Sequence, residues 1–163
     1  MNCADPAIFE GTRVLLAEDD YRQAADLAEL MSALGCKVIG PAGRLEAALN
    51  LVARKRIDAA IVDLMLAGKS ALPLLTLLAG KKIPAIVTTA FGRAAVPKEL
   101  RYIPYHSKPI NRVRLIASME AMFPRPRQTP ERRNLLRRIL FTGSDIDERF
   151  ERLAASTSAV PRQ

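Results

Sequence analysis

The chain has 163 residues, a net charge of +8 at pH 7 and a hydrophobic fraction of 49%. That length supports one domain with a sizeable core and a small appendage, and the composition excludes a mostly disordered chain. No apolar run reaches the about 18 residues that a spanning helix needs, and the N-terminus lacks a signal-peptide pattern. We therefore expect a cytoplasmic protein without membrane contact. Cys3 and Cys36 lack metal-ligand spacing, which favours two reduced thiols.

The first 123 residues alternate short apolar runs, typical of buried parallel strands, with segments of helical periodicity. The predicted strands cover residues 13–17, 37–40, 59–63, 85–89 and 103–107. The predicted helices cover a first segment that Asp20 caps and Gly35 ends, then residues 44–54, 70–79, 96–101 and 111–123. This alternation predicts an α/β fold with a parallel sheet covered on both faces. In such folds, ligands bind at the carboxyl ends of the strands.

An arginine-rich extension follows this domain. Residues 124–163 hold nine arginines, no lysine and five acidic residues, after a short lead at 1–11 and the main domain at 12–123. Two short amphipathic helices are predicted there, with apolar stripes at Leu135, Leu136, Ile139 and Leu140, then at Ile146, Phe150 and Leu153. Such helices cannot bury their stripes alone, so we expect them to dock on the main domain or on a second chain. Their arginines can meet nucleic acid, but a solvated helix face is the more common origin of such charge.

Polar residues follow four of the predicted strands, where the carboxyl ends should meet. They are Glu18, Asp19 and Asp20 after the first strand, Asp63 at the end of the third, Thr88 and Thr89 at the end of the fourth, and Lys108 after the fifth. Clustered carboxylates repel one another unless a cation lies among them, and hard oxygen ligands suit Mg²⁺. With a hydroxyl and an ammonium added, the set indicates a phosphoryl-transfer site. Asp20 is expected only to cap the first helix.

Residues 12–123 closely resemble the response regulator receiver family of two-component signalling. The resemblance rests on VLLAEDD at 14–20, AAIVDLML at 59–66, IVTTAFG at 86–92 and YHSKP at 105–109. It implies a flavodoxin-like, doubly wound five-stranded sheet of order 2-1-3-4-5, here followed by the short helical extension. The phrases GPAGRLEAALNLV and DLMLAGKSALPLLTLL, together with TAFG, resemble stand-alone receivers of alpha-proteobacteria.

The resemblance also implies a role for each polar residue at the strand ends. Asp63 resembles the phosphoacceptor, and the Mg²⁺ ligands would be Glu18, Asp19, Asp63 and the Met65 carbonyl. The catalytic set would be Asp63, Thr89 and Lys108, with Thr89 and Tyr105 as switch residues. The bond between Lys108 and Pro109 is often cis in this family. His106, the single histidine, is expected to be structural rather than a phosphorelay donor.

The loop after Asp63 departs from the common receiver pattern. Many receivers carry Pro four residues after the acceptor and Gly eight residues after it. Those positions are Ala67 and Ala71 here, and Gly68 follows the first of them. We therefore expect this loop to have a geometry of its own.

The function predicted from the sequence is a self-phosphorylating signalling switch rather than a turnover enzyme. A sensor histidine kinase would supply the phosphoryl group to Asp63, and protein contacts, including a homodimer through the C-terminal helices, would carry the output. Two alternatives remain open: a DNA-associated regulator that uses the basic tail, and a small Mg²⁺-dependent phosphohydrolase. The acidic residues of the tail weaken the nucleic-acid alternative.

Overall fold

The computed structural model describes residues 9–122, so Cys3, Phe123 and the tail predictions lie outside the described residues. The main elements in chain order are β1 (Arg13–Ala17), α1 (Tyr21–Ala33), β2 (Lys37–Ala42), α2 (Leu45–Arg54), β3 (Ala59–Asp63), β4 (Met65–Leu66), β5 (Lys69–Ser70), α3 (Leu72–Gly80), β6 (Ala85–Thr89), β7 (Tyr105–Ser107) and α4 (Arg112–Met122). Two 3-10 turns, Arg93–Ala95 and Lys98–Leu100, lie between β6 and β7. None of the helices described here is long and apolar enough to cross a membrane.

Five parallel strands form the sheet, in the order β2-β1-β3-β6-β7. Because β4 and β5 form a separate antiparallel hairpin, this order is the predicted 2-1-3-4-5 arrangement, which is confirmed. The central strand β3 is buried along its whole length, as its apolar run predicts. The carboxyl end of β3 therefore lies in the middle of the row formed by the carboxyl ends of the five strands.

Two hydrophobic cores cover the two faces of the sheet. One packs α2 and α3 against it, with Val52, Leu74 and Leu78 among its buried side chains. The other packs α1 and α4 against it, with Met31 and Leu115 fully buried. In this second core, α1 also buries Leu27 and Leu30, and α4 also buries Met119. Burying one such side chain stabilises the fold by about 1.5–3 kcal/mol.

Four elements differ from the sequence prediction by two residues or more. The helix predicted over residues 96–101 is wrong: two 3-10 turns replace it, with Pro97 in an extended conformation just before the second. The third predicted helix begins at Leu72 rather than Ser70, because Ser70 belongs to the hairpin. The second strand continues past residue 40 to Ala42, and the last one begins at Tyr105 rather than at residue 103.

The end of β2 sets the path of the acidic loop that follows β1. The pairing between β1 and β2 shifts register between Leu15 and Ala17, and the Glu18 N–H then donates to the Ala42 carbonyl at 3.0 Å. Gly40 lies there with a φ of +112°, and a Cβ atom would come within 2.7 Å of the Leu16 carbonyl oxygen. Only glycine fits this close approach. The loop that carries Glu18 is thus fixed against the sheet.

The opposite end of β1 is held by an ion pair between Arg13 and Asp58. The carboxylate of Asp58 accepts from the Arg13 backbone N–H at 2.9 Å, from Nε at 2.8 Å and from Nη2 at 2.7 Å. The side-chain hydrogen bond from Arg13 is the main reason that the pKa of Asp58 falls from 3.8 to about 2. This bidentate pair ties the loop before β3 to the first residue of the sheet.

Candidate functional site

The structure brings the predicted site residues together at one edge of the sheet. In the parallel register, Ala17 pairs with Val62, and Asp63 pairs with Thr88. Thr89 pairs with Ser107, one residue before Lys108. The carboxyl ends of β1, β3, β6 and β7 therefore form a common crevice.

Lys108 lies at the centre of this crevice and bridges two carboxylates. Its Nζ donates to Asp63 Oδ2 at 2.5 Å and to Glu18 at 3.0 Å and 2.8 Å for Oε1 and Oε2. The side chains are 13% exposed for Lys108, 1% for Glu18 and 9% for Asp63, so the three charges are largely shielded from water. The Lys108–Pro109 peptide bond is cis, as the resemblance predicts.

This shielding from water, together with the hydrogen bonds, shifts the pKa values of Glu18 and Lys108. Burial raises the pKa of Glu18, and the hydrogen bond with Lys108 offsets only part of that rise. Burial alone lowers the pKa of the Lys108 ammonium, but its hydrogen bonds with Asp63 and Glu18 outweigh this and raise the net pKa. The Lys108 ammonium therefore keeps its positive charge beside Asp63 at neutral pH.

Three carboxylates form a group that can hold a metal ion. One oxygen from each of Glu18, Asp19 and Asp63 lies within 4.8 Å of the others. Their hard oxygen donors fit Mg²⁺, and Asp19 is exposed enough to be reached from solvent. The third acidic residue of the motif, Asp20, is directed elsewhere: its Oδ1 accepts from the Gln23 N–H at 2.9 Å and caps α1, as predicted.

The predicted switch residues lie on the two neighbouring strands β6 and β7. Thr89 is fully buried, and its Oγ1 accepts from the Phe91 N–H at 3.0 Å, which fixes the start of the loop after β6. Tyr105 is half-buried and packs against the core formed with α2 and α3. Phe91 itself, in the loop after β6, is 58% exposed.

His106 packs between β7 and α4, which fits the structural role expected from the sequence. It is buried, and its Nε2 lies 2.9 Å from Ser118 Oγ on α4. Burial lowers the pKa of His106, and the nearby charge of Arg114 lowers it further, so the neutral ring is favoured. The ring links β7 to α4. Among the described residues, it makes no hydrogen bond with the carboxylates of the crevice.

Two features of the site escape sequence reasoning. The Thr88 hydroxyl is fully buried and has no hydrogen-bond partner within the described part of the chain. A threonine in an apolar strand gives no sign of that environment. The second feature is the Ala67 N–H, which donates to Asp19 Oδ2 at 3.0 Å. The absence of proline at position 67 is the sequence signal that could have indicated it.

Comparison with known proteins finds relatives by sequence and neighbours by structure. No protein-family model matches the chain. The transcriptional regulatory protein PdtaR of Mycobacterium tuberculosis is 30% identical in an alignment 120 residues long, which covers 71% of this chain. The chain spans 58% of the length of that relative.

The structural neighbours share the same fold. SdrG of Sphingomonas melonis Fr1 is 27% identical with a TM-score of 0.62 over 69% of this chain and 96% of that one. The signal receiver domain of a modulated diguanylate cyclase from Desulfovibrio desulfuricans G20 is 28% identical with a TM-score of 0.60, over 69% and 94% of the two chains. The PhyR response regulator REC domain of Erythrobacter litoralis is 23% identical with a TM-score of 0.63, over 74% and 97%.

Proposed function

We propose that this chain, which belongs to the response regulator receiver family, is a switch whose Asp63 accepts a phosphoryl group from a sensor histidine kinase. The observation that carries the proposal is the Lys108 ammonium, which lies 2.5 Å from Asp63 Oδ2 at the end of the central strand. A carboxylate nucleophile beside a fixed cation and two further acidic groups suits phosphoryl transfer better than it suits simple helix capping.

In the proposed reaction, a carboxylate oxygen of Asp63 attacks the phosphorus of a phosphohistidine. The new P–O bond forms as the P–N bond of the donor breaks, and the imidazole leaves with a proton from solvent. Lys108 contributes its positive charge to the phosphoryl oxygens, which carry the negative charge of the transition state. The Asp63 oxygen is already held near that cation, so little reorientation is needed before the attack.

Mg²⁺, when bound by Glu18, Asp19, Asp63 and the Met65 carbonyl, would supply a second positive charge next to the phosphoryl oxygens. Of these residues, buried Glu18 has both oxygens bonded to Lys108. We therefore expect Asp19 and Asp63 to be the direct carboxylate ligands and Glu18 to act through water. While the metal is absent, Lys108 offsets part of the repulsion between Glu18 and Asp63.

Phosphorylation would change the partners of Lys108 and Thr89. A dianion on Asp63 offers Lys108 new acceptors, and it offers the Thr89 hydroxyl an acceptor in the same crevice. Movement of Thr89 on β6 would be followed by Tyr105 on β7. The surface that changes on phosphorylation would comprise the two 3-10 turns at residues 93–100, together with β7 and α4. It would act in the cytoplasm by binding proteins, including a second copy of this chain.

The test is phosphorylation with acetyl phosphate and Mg²⁺, followed by intact mass. We expect a gain of about 80 Da, one phosphoryl group, that disappears in excess chelator. Asp63→Asn should abolish the gain, and Asp19→Ala should reduce it strongly. Asp20→Asn is the matched control, because Asn also caps helices and Asp20 faces Gln23 rather than Lys108. Undiminished labelling of Asp63→Asn would refute the proposal.

Multiple turnover distinguishes this switch from a small phosphohydrolase. A switch gains one phosphoryl group per chain, whereas a phosphohydrolase releases phosphate from small esters continuously. Sustained phosphate release by the wild-type chain, lost in Asp63→Asn, would favour the phosphohydrolase alternative.

A further inference from the structure

The segment after Asp63 is a tight antiparallel hairpin. Met65 pairs with Ser70 and Leu66 with Lys69, so the turn consists of Ala67 and Gly68 alone. Both turn residues have positive φ, +48° and +80°. Two-residue hairpin turns of this hand need positive φ at both positions, which glycine adopts freely and alanine rarely does.

The hairpin directs two backbone N–H groups, one from its first strand and one from its turn, at two acidic side chains. The Met65 N–H donates to Asp63 Oδ1 at 3.1 Å, and the Ala67 N–H donates to Asp19 Oδ2 at 3.0 Å. Asp63 is the last residue of β3 and Asp19 lies in the loop after β1, so the hairpin joins the ends of two neighbouring strands.

The hairpin is itself firmly supported. Leu64 and Leu66 are buried in the core, at 3% and 0% exposure, and the Ala71 N–H donates to the Leu64 carbonyl at 2.8 Å. On the outer side, the Lys69 ammonium pairs with Glu46 on α2. Asp19, by contrast, is exposed, and an exposed side chain loses rotamer freedom when it binds a cation. A donor on a rigid support reduces that loss.

We propose that the Ala67 N–H is a positioning group that orients Asp19 for a divalent cation and couples cation binding to the β4–β5 hairpin. The inference rests on the proposed function of the same site. Proline, common at this position in receivers, has no N–H and cannot adopt a φ of +48°. The alanine at position 67 therefore permits a contact that proline at this position excludes.

The first test compares Mg²⁺ affinity in Ala67→Pro and Ala67→Gly, by calorimetry without a phosphoryl donor. Hydrogen-bond partners of metal ligands typically account for about 10- to 100-fold in affinity, and the exposed position of Asp19 favours the lower end. We expect about tenfold weaker binding for Ala67→Pro. Ala67→Gly keeps the N–H and the positive φ, so its affinity should stay within about twofold of the wild type.

The second test needs no change at position 67. The Ala67 amide should exchange slowly with solvent deuterium in the wild-type chain, and this protection should be lost in Asp19→Ala. Protection should also change when Mg²⁺ is added, because the cation and the N–H share one carboxylate. This experiment decides the matter if Ala67→Pro does not fold.

The outcomes separate the inference from the proposed function. Equal Mg²⁺ affinity in a folded Ala67→Pro variant, or an unprotected Ala67 amide, would overturn the inference while leaving phosphorylation of Asp63 intact. A wild-type chain that binds no Mg²⁺ would overturn both the inference and the metal part of the proposed function.

Discussion

Lys108 offers the sharpest test of how the crevice is held together. Lys108→Met removes the ammonium but keeps an unbranched apolar side chain, so it leaves Glu18 and Asp63 facing each other without a cation. Both carboxylates are shielded, with 1% and 9% of their side chains exposed. Removing one partner of a buried ion pair destabilises a protein by about 3–5 kcal/mol, because an uncompensated charge is left behind. Because Lys108 and Asp63 keep 13% and 9% of their side chains exposed, we expect the lower end of this range, about 3 kcal/mol.

The assay is urea unfolding at neutral pH in the presence of chelator, followed by circular dichroism. Lys69→Met is the matched control, since Lys69 also pairs with a glutamate but the two side chains are 62% and 58% exposed. That exposed pair should contribute at most about 0.5 kcal/mol. Adding Glu18→Gln to Lys108→Met should recover part of the lost stability, because it removes one of the uncompensated charges. A loss for Lys108→Met no larger than that of the control would refute the reasoning.

Three further predictions concern other parts of the molecule. Asp58→Asn should lower the free energy of unfolding by about 1 kcal/mol at neutral pH, after discounting for the solvent screening of a partly exposed pair. Because the folded pKa of Asp58 is depressed, the pair stabilises the fold above pH 3.8, and this contribution is lost as the pH falls to about 2. Urea unfolding between neutral pH and pH 3 measures the trend, and a penalty that grows on acidification would contradict it. The phosphorylated state should be long-lived, since the side chains of Met65 and Phe91 cannot hold a hydrolytic water by hydrogen bonding. Met65→Asn should speed the loss of phosphate, measured as a time course of intact mass. Unchanged or slower loss would count against this prediction. The tail should mediate self-association, so light scattering should report a dimer for the full chain and a monomer for a chain ending at Phe123. If both chains are monomers, with and without phosphorylation, tail-driven dimerisation is excluded.

The sequence predicts the sheet well because its strands are short apolar runs with clear ends. The span of AAIVD at 59–63 matches β3, and its burial explains why no polar residue interrupts it. Because the carboxyl ends of parallel strands meet at one edge, the sequence also indicates which polar residues share the crevice. It does not predict that Lys108 contacts Glu18 and Asp63 together, since that depends on side-chain reach across three strands.

The sequence fails where local signals are short or depend on tertiary contacts. The stretch after Thr89 has helix-compatible residues, yet Pro97 and Pro104 interrupt it, and the burial of Val96 and Ile103 holds it as turns instead. The hairpin after Asp63 has strands of only two residues, too short for an alternating pattern. The positive φ of Ala67 runs against its residue preference, and the supporting hydrogen bond to Asp19 comes from 48 residues away.

The most direct test of the central claim is to locate the phosphoryl group by chemical trapping. Borohydride reduces an aspartyl phosphate to homoserine, which peptide mass spectrometry can assign to a single position. After treatment with acetyl phosphate and Mg²⁺, we expect homoserine at position 63 and unmodified aspartate at positions 19, 20 and 58. Homoserine at one of those other positions, or none at position 63 in a folded chain with bound Mg²⁺, would contradict the assignment of Asp63 as the phosphoryl acceptor.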